Sequence, residues 1–111
     1  MIEKTVLDYL NRVLDVPVCM ETPEELPDSY VLIEKTGSGR QNRIYSATLA
    51  IQSIAASLYE AAKLNEAVKD AMERIVILAE VCRAELNSDY NYTDTAAKQY
   101  RYQAVYDLIH Y

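Results

Sequence analysis

The sequence predicts an α+β fold, an antiparallel sheet of about four to five strands with two main helices packed against it, in a single domain over residues 1–111. Three observations predict it. Segments with helical and with alternating apolar spacing follow in the order helix, short strand, two strands, helix, two strands, which places paired strands beside two separated helices. The chain has 111 residues, half apolar and a quarter charged, the balance of one folded domain with its own core. The three prolines fall within 17–27 and the two glycines within 37–39, so the strongest chain breakers stand between the predicted elements.

Residues 2–14 form the first predicted helix. Ile2, Val6, Tyr9, Leu10, Val13 and Leu14 recur on one side, and Asp8 and Arg12 are spaced as an i,i+4 pair on the other. Val16-Pro17 ends it, because the residue before proline is pushed out of the helical region. Val18-Cys19-Met20 reads as a short edge strand, where flanking prolines are tolerated. The connection that follows carries Glu21, Glu24, Glu25 and Asp28 with no basic residue. It fits a charged surface loop or a contact site for a basic partner.

Tyr30 to Lys35 is β-branched and aromatic and predicts a strand. Thr36 to Arg43 is polar and holds both glycines, so it reads as a long, mobile hairpin tip. Ile44 to Ala55 is the returning strand, with Ala47, Leu49, Ile51, Ser53 and Ala55 on one face and Thr48 and Gln52 on the other. Ser57-Leu58-Tyr59-Glu60 has capping-box spacing and opens the second helix, which is expected to run to about Ile75. Leu58, Ala61, Ala62, Val68, Ala71, Met72 and Ile75 line its apolar stripe. Glu66, Lys69, Asp70, Glu73 and Arg74 face water, Asp70 and Arg74 being spaced as an ion pair. Val81 to Leu86 predicts a strand, Asn87 to Lys98 a polar loop, and Tyr100 to Ile109 the last strand. On that strand Tyr102, Ala104, Tyr106 and Leu108 oppose Arg101, Gln103 and Asp107.

Eleven Lys and Arg against seventeen Asp and Glu give a net charge of −6. That balance argues against nucleic-acid binding, which requires clustered positive charge, and against docking on an anionic membrane. The longest apolar run, Ile75 to Ala79, is far below the roughly 20 residues of a membrane helix. The start of the chain has no apolar stretch of signal-peptide length, so a soluble protein retained where it is made is expected. Cys19 and Cys82 are too few for a disulfide scaffold and are expected to be reduced and packed among apolar neighbours. Ten tyrosines with no Phe or Trp fit either half-buried sheet positions or subunit interfaces.

A search for reactive chemistry yields no catalytic, cofactor-binding or metal site. The one histidine, His110, stands on a strand end, a poor place to fix an imidazole for a nucleophilic triad. Two distant cysteines and one histidine do not make a structural zinc site. Gly37-Ser38-Gly39 lacks the third glycine of a dinucleotide loop, since Asn42 stands there, and it precedes a strand rather than a helix. No acidic pair is placed by a local rule for glycosidase chemistry. Asn91-Tyr92-Thr93 matches a glycosylation sequon, a chance match without a secretory signal. The tip does concentrate Lys35, Arg40 and Arg43, three of eleven basic residues, and so suits an acidic protein partner.

The ordered set Pro17-Val18 before an acidic stretch, Tyr30-Val31-Leu32-Ile33-Glu34-Lys35-Thr36-Gly37, Asn42-Arg43, Ala47-Thr48-Leu49-Ala50-Ile51-Gln52-Ser53, a helix, Leu86-Asn87-Ser88-Asp89-Tyr90-Asn91-Tyr92-Thr93-Asp94 and Tyr100-Arg101-Tyr102-Gln103-Ala104-Val105 resembles the tail-terminator, or tail-completion, proteins of long-tailed phages, in the prophage form of Gram-positive bacteria. The similarity covers nearly the whole chain. It implies an α+β protomer that joins a six-fold homo-oligomeric ring on the head-proximal end of the tail tube. There it stops tube polymerisation and offers a surface to the head–tail connector, without a catalytic step. Some members of that family are monomers before they meet the tube. The implied location is the host cytoplasm during assembly and then the virion tail.

Loop position and composition then give the partner-binding candidates. Lys35, Gly37, Ser38, Gly39, Arg40, Gln41, Asn42 and Arg43 would meet a neighbouring subunit or the last tube ring. Asn87, Asp89, Tyr90, Asn91 and Tyr92 would form a second assembly loop, with the two tyrosines as amphipathic anchors. Both segments are expected to order on assembly. The alternatives are a head-closure or connector component, and a small ligand-binding accessory domain of a bacterial protein.

Overall fold

The computed structural model of the chain describes residues 1–97 and 99–111. The element order is α1 (Ile2–Val13), β1 (Val18–Cys19), β2 (Tyr30–Gln41), β3 (Ile44–Ala55), α2 (Leu58–Glu73), a 3-10 turn (Ile75–Ile77), β4 (Val81–Asn91) and β5 (Tyr100–His110). The five strands form one sheet in the order β1-β2-β3-β5-β4. Only the β1–β2 pairing is parallel; the other three are antiparallel. The α+β class with two helices on a mostly antiparallel sheet is as the sequence predicts.

Both helices pack on one face of the sheet. Strand alternation sends Val31, Ile33, Ala47, Leu49, Ile51, Ala104, Tyr106 and Leu108 to that face, where they meet Ile2, Val6, Tyr9 and Leu10 of α1 and Val68, Ala71 and Met72 of α2. Register fixes the match: Leu49 lies opposite Tyr106 and Ile51 opposite Ala104. The helices are tied together by Tyr9, whose buried hydroxyl donates to the Ala71 carbonyl at 2.7 Å. α2 begins as its capping signal requires, with Ser57 Oγ accepting from the Glu60 N–H at 3.1 Å. It ends at Glu73, and Ile75 is buried in the 3-10 turn that follows.

Several local expectations are corrected. The stripe of α2 buries Asn65 and leaves Leu58 41 % exposed: Leu58, Tyr59 and Glu60 at the start of the helix are exposed, and its buried face begins at Ala61. Val13 is likewise exposed at the end of α1. Lys4 binds Asp8 at 3.0 Å and Lys69 binds Glu66 at 2.9 Å; among the described residues the Asp8–Arg12 and Asp70–Arg74 pairs are not formed. Cys82 is exposed rather than packed, because it occupies a bulge at the start of edge strand β4. Cys19 is half-buried, and both thiols are free.

The opposite face carries no helix. Two hydrogen-bonded chains cross it instead. Thr48 Oγ1 donates to Asp107 Oδ1 at 2.8 Å, and Asn87 Nδ2 donates to Asp107 Oδ2 at 2.9 Å. Four residues along the sheet, past the Ala50–Val105 pair, Gln52 Nε2 donates to Gln103 Oε1 at 3.1 Å, and Gln103 Nε2 donates to the Tyr90 hydroxyl oxygen at 2.5 Å. Gln52 and Gln103 are buried by their strand neighbours, and these bonds satisfy amides that are costly to leave unpaired.

Candidate functional site

The residues predicted as a glycine loop form the outer half of a long hairpin. β2 runs on to Gln41 and pairs residue by residue with β3: Gly37 opposite Thr48, Ser38 opposite Ala47, Gly39 opposite Ser46, Arg40 opposite Tyr45, Gln41 opposite Ile44. A bulge at Thr36 separates this part from the buried part of β2. The expectation of a long mobile tip is therefore corrected. The turn is only Asn42-Arg43, and both residues have left-handed backbone, with φ of 51° and 67°. Such a two-residue turn matches the twist of the strands it joins. Gly39 lies in a close approach: a Cβ there would stand 2.9 Å from Ser46 Oγ, so the serine side chain would have to rotate to admit one.

Asn tolerates left-handed backbone, whereas arginine does so at a cost of about 1–2 kcal/mol. Arg43→Gly removes that cost while freeing the unfolded chain, so a net stabilisation of about 0.5–1 kcal/mol is expected. A rise in the urea midpoint at constant m-value checks it.

Beside this hairpin lies an open cleft of about 670 Å³, lined by Glu3, Lys35, Arg40, Tyr45, Glu80 and His110 among others. The first turn of α1 borders it, and Met1 supplies no side-chain cap there. Lys35 Nζ stands 3.5 Å from Glu3 Oε2. His110, opposite Tyr45 in the sheet, stacks on the Tyr45 ring with centroids 5.5 Å apart and planes 17° apart. Arg40 and Arg43 are exposed, and neither makes an ion pair among the described residues. Charge and shape are what this end of the molecule presents.

The second predicted loop is also corrected. Asn87, Asp89, Tyr90 and Asn91 belong to β4, and the turn after it closes through an Asp94–Gln99 bridge. Lys98, the end of the predicted polar segment, lies outside the described residues. Asn87 occupies a bulge and holds Asp107; with Thr48, these hydrogen bonds keep the Asp107 carboxyl below its ordinary range. Asp89 turns toward α2 and accepts from Asn65 Nδ2 and Lys69 Nζ, each at 3.3 Å. Tyr90 and Tyr92 meet edge-to-face at 5.9 Å, and the Arg101 guanidinium lies 4.8 Å from the Tyr92 ring centre. Asn91 Oδ1 accepts from the N–H and hydroxyl of Thr93, so the apparent sequon is a local turn device.

The two candidate segments do not form one site. Arg40 lies in the row of Tyr45 and His110, and Asn91 in the row of Tyr102 and Ser53. Eight residues of β5 separate the rows, roughly 27 Å at strand rise. The Tyr90–Tyr92 group is knit into its own sheet, whereas the arginines of the hairpin are not. One feature of note escaped the sequence reading: the cleft itself, because its walls come from α1, β2, β3 and the end of β5. Among the described residues no group of three or more His, Cys, Asp or Glu is placed to hold a metal ion, and no helix is long and apolar enough to cross a membrane. Neither a protein-family model nor a curated protein sequence matches the chain.

Proposed function

We propose that this chain is a structural assembly protein of the tail-terminator kind, which caps a phage tail tube at its head-proximal end and presents a joining surface to the head. The observation that carries the reading is the β2–β3 hairpin. Its two-residue turn places two exposed arginines, neither in an ion pair among the described residues, at one end of an acidic protomer, with arginine kept where glycine fits the backbone better. A charged projection built on paired strands suits docking, because its backbone is already ordered when the partner arrives. The ordered resemblance along the sequence supports the same reading. Partners in this reading are further copies of the chain in a ring, the tube protein and the head–tail connector.

Tube-length distributions measured by electron microscopy test it. Purified tube protein polymerised with this chain at substoichiometric amounts is expected to give short, capped tubes. The double change Arg40→Ala and Arg43→Ala is expected to leave the circular dichroism unchanged and to weaken capping at least tenfold in the concentration required, about 1.4 kcal/mol of contact. Tubes whose lengths ignore the wild-type protein retire the reading; capping that survives the double change removes the hairpin from it.

A further inference from the structure

The two ends of the molecule carry opposite charge that is exposed and makes no ion pair among the described residues. At one end stand Arg40 and Arg43 beside the cleft described above. The other end holds the connection between β1 and β2. Cys19 lies beside Leu32 and the chain returns at Tyr30, so residues 20–29 sit next to the start of β2, away from the hairpin turn. Glu21, Glu24, Glu25 and Asp28 are all exposed there, and none of them makes an ion pair among the described residues. Leu26, in their midst, is 60 % exposed. Pro23 and Pro27 flank that short acidic segment and reduce the freedom it has to lose on docking.

The two surfaces cannot meet within one molecule. β2 runs from one to the other, and its twelve residues span roughly 37 Å at strand rise. The long axis of the molecule is 44 Å and the other two are 25 Å. Any pairing between the two surfaces is therefore made between molecules, and a second copy of this chain carries the complement of each.

We infer that the Glu21–Asp28 segment of one copy docks against the Arg40/Arg43 hairpin and cleft of the next, in a head-to-tail contact between copies of this chain. The carboxylates of Glu24 and Glu25 face the two guanidiniums, and Leu26 enters the cleft toward Tyr45. Glu3 does not oppose this, since Lys35 lies against it; Glu80, also in the cleft lining, sets which side of the cleft the segment avoids. The net charge of −6 does not forbid it either. At about 0.1 M salt the Debye length is about 10 Å, so charges a molecule's length away are screened while those in contact are not. A contact between two different patches closes into a ring when the rotation allows. The inference rests on the assembly reading above and deepens it by naming the two surfaces that meet.

Sedimentation velocity on four proteins tests the contact: wild type, Arg40→Glu with Arg43→Glu, Glu24→Lys with Glu25→Lys, and the chain carrying all four changes. Circular dichroism checks that each is folded, as expected for exposed sites. Wild type is expected to associate with rising concentration, and each two-site variant to bind itself at least tenfold more weakly. An equimolar mixture of the two variants, and the four-site variant alone, are expected to recover association, because each again pairs opposite charges. A wild type that stays monomeric to its solubility limit overturns the contact, as does association that ignores the swaps or is not recovered by mixing. If wild type caps tubes but fails these tests, the contact alone is wrong. If the swaps behave as expected and no capping occurs, the contact stands and the tail-terminator reading falls.

Discussion

Leu49→Ala is expected to destabilise the protein by about 2–5 kcal/mol. Leu49 is fully buried on β3, the middle strand of five. It lies opposite Tyr106 on β5 and opposite Lys35 on β2, with the helices above it. A side chain at the rim of a core loses its contacts and lets neighbours relax into the gap. Here the β3–β5 ladder runs unbroken past Leu49 and the helices cover it, so the space closes poorly and a cavity cost adds to the lost transfer energy. The total stability of a domain this size is about 5–15 kcal/mol, so the variant is left near the edge of folding. Urea unfolding should show a much lower midpoint with an unchanged m-value. Leu26→Ala is the control: its side chain is mostly exposed, and a change within about 0.5 kcal/mol is expected there.

Leu49 also marks what the sequence makes legible. β3 is found over Ile44–Ala55 as predicted, because its alternation is unbroken and one face must be buried. The capped start of α2 and the faces of β5 follow from equally local signals. What misled the reading was polarity. Thr36 to Gln41 and Asn87 to Asn91 are polar enough to suggest loops, yet both continue strands, because their backbone groups pair with β3 and β5 while their polar side chains stay exposed or, like Asp89, find partners on α2. Strand pairing is non-local, and no pattern within the segment reports the partner that supplies its hydrogen bonds.

The same limit explains the candidate sites. Composition singled out the arginines of the hairpin and the tyrosines of β4, and it treated them alike. The difference between them is a matter of neighbours. Tyr90 is bound to Gln103, and Tyr92 is covered by Arg101, both from β5. Arg40, opposite Tyr45, and Arg43 are exposed and make no ion pair among the described residues. The ion pairs chosen by spacing failed for a related reason. An i,i+4 rule offers Asp8 to both Lys4 and Arg12, and the tertiary surroundings decide between them.

The second large effect is a loss of stability in alkali that Tyr106→Phe removes. Tyr106 is buried beneath α2, and burial pushes its phenol up to about 12; Asp89, Glu73 and Asp70 push the same way and Lys69 opposes them. In the unfolded chain a tyrosine titrates near 10. Between pH 10 and about 12 the unfolded chain thus gives up a proton that the native protein keeps, and stability falls as pH rises. The stabilising contribution is complete below pH 10 and is lost through the native pKa, an effect on the order of 2 kcal/mol. Tyr30 and Lys69 are shifted upward as well, by burial and by the Glu66 hydrogen bond, so alkali weakens the fold through more than one group. Phenylalanine keeps the ring and removes only the ionisable hydroxyl, so the pH dependence of the difference between the two proteins isolates Tyr106. Their urea midpoints are expected to run parallel up to pH 10 and then to separate, with the variant falling less. Phenolate absorbance should show an ionisation near pH 12 in wild type that is missing from Tyr106→Phe. Parallel midpoints throughout, or a Tyr106 phenol that ionises at the ordinary tyrosine value near 10, would mean that α2 does not cover this part of the sheet.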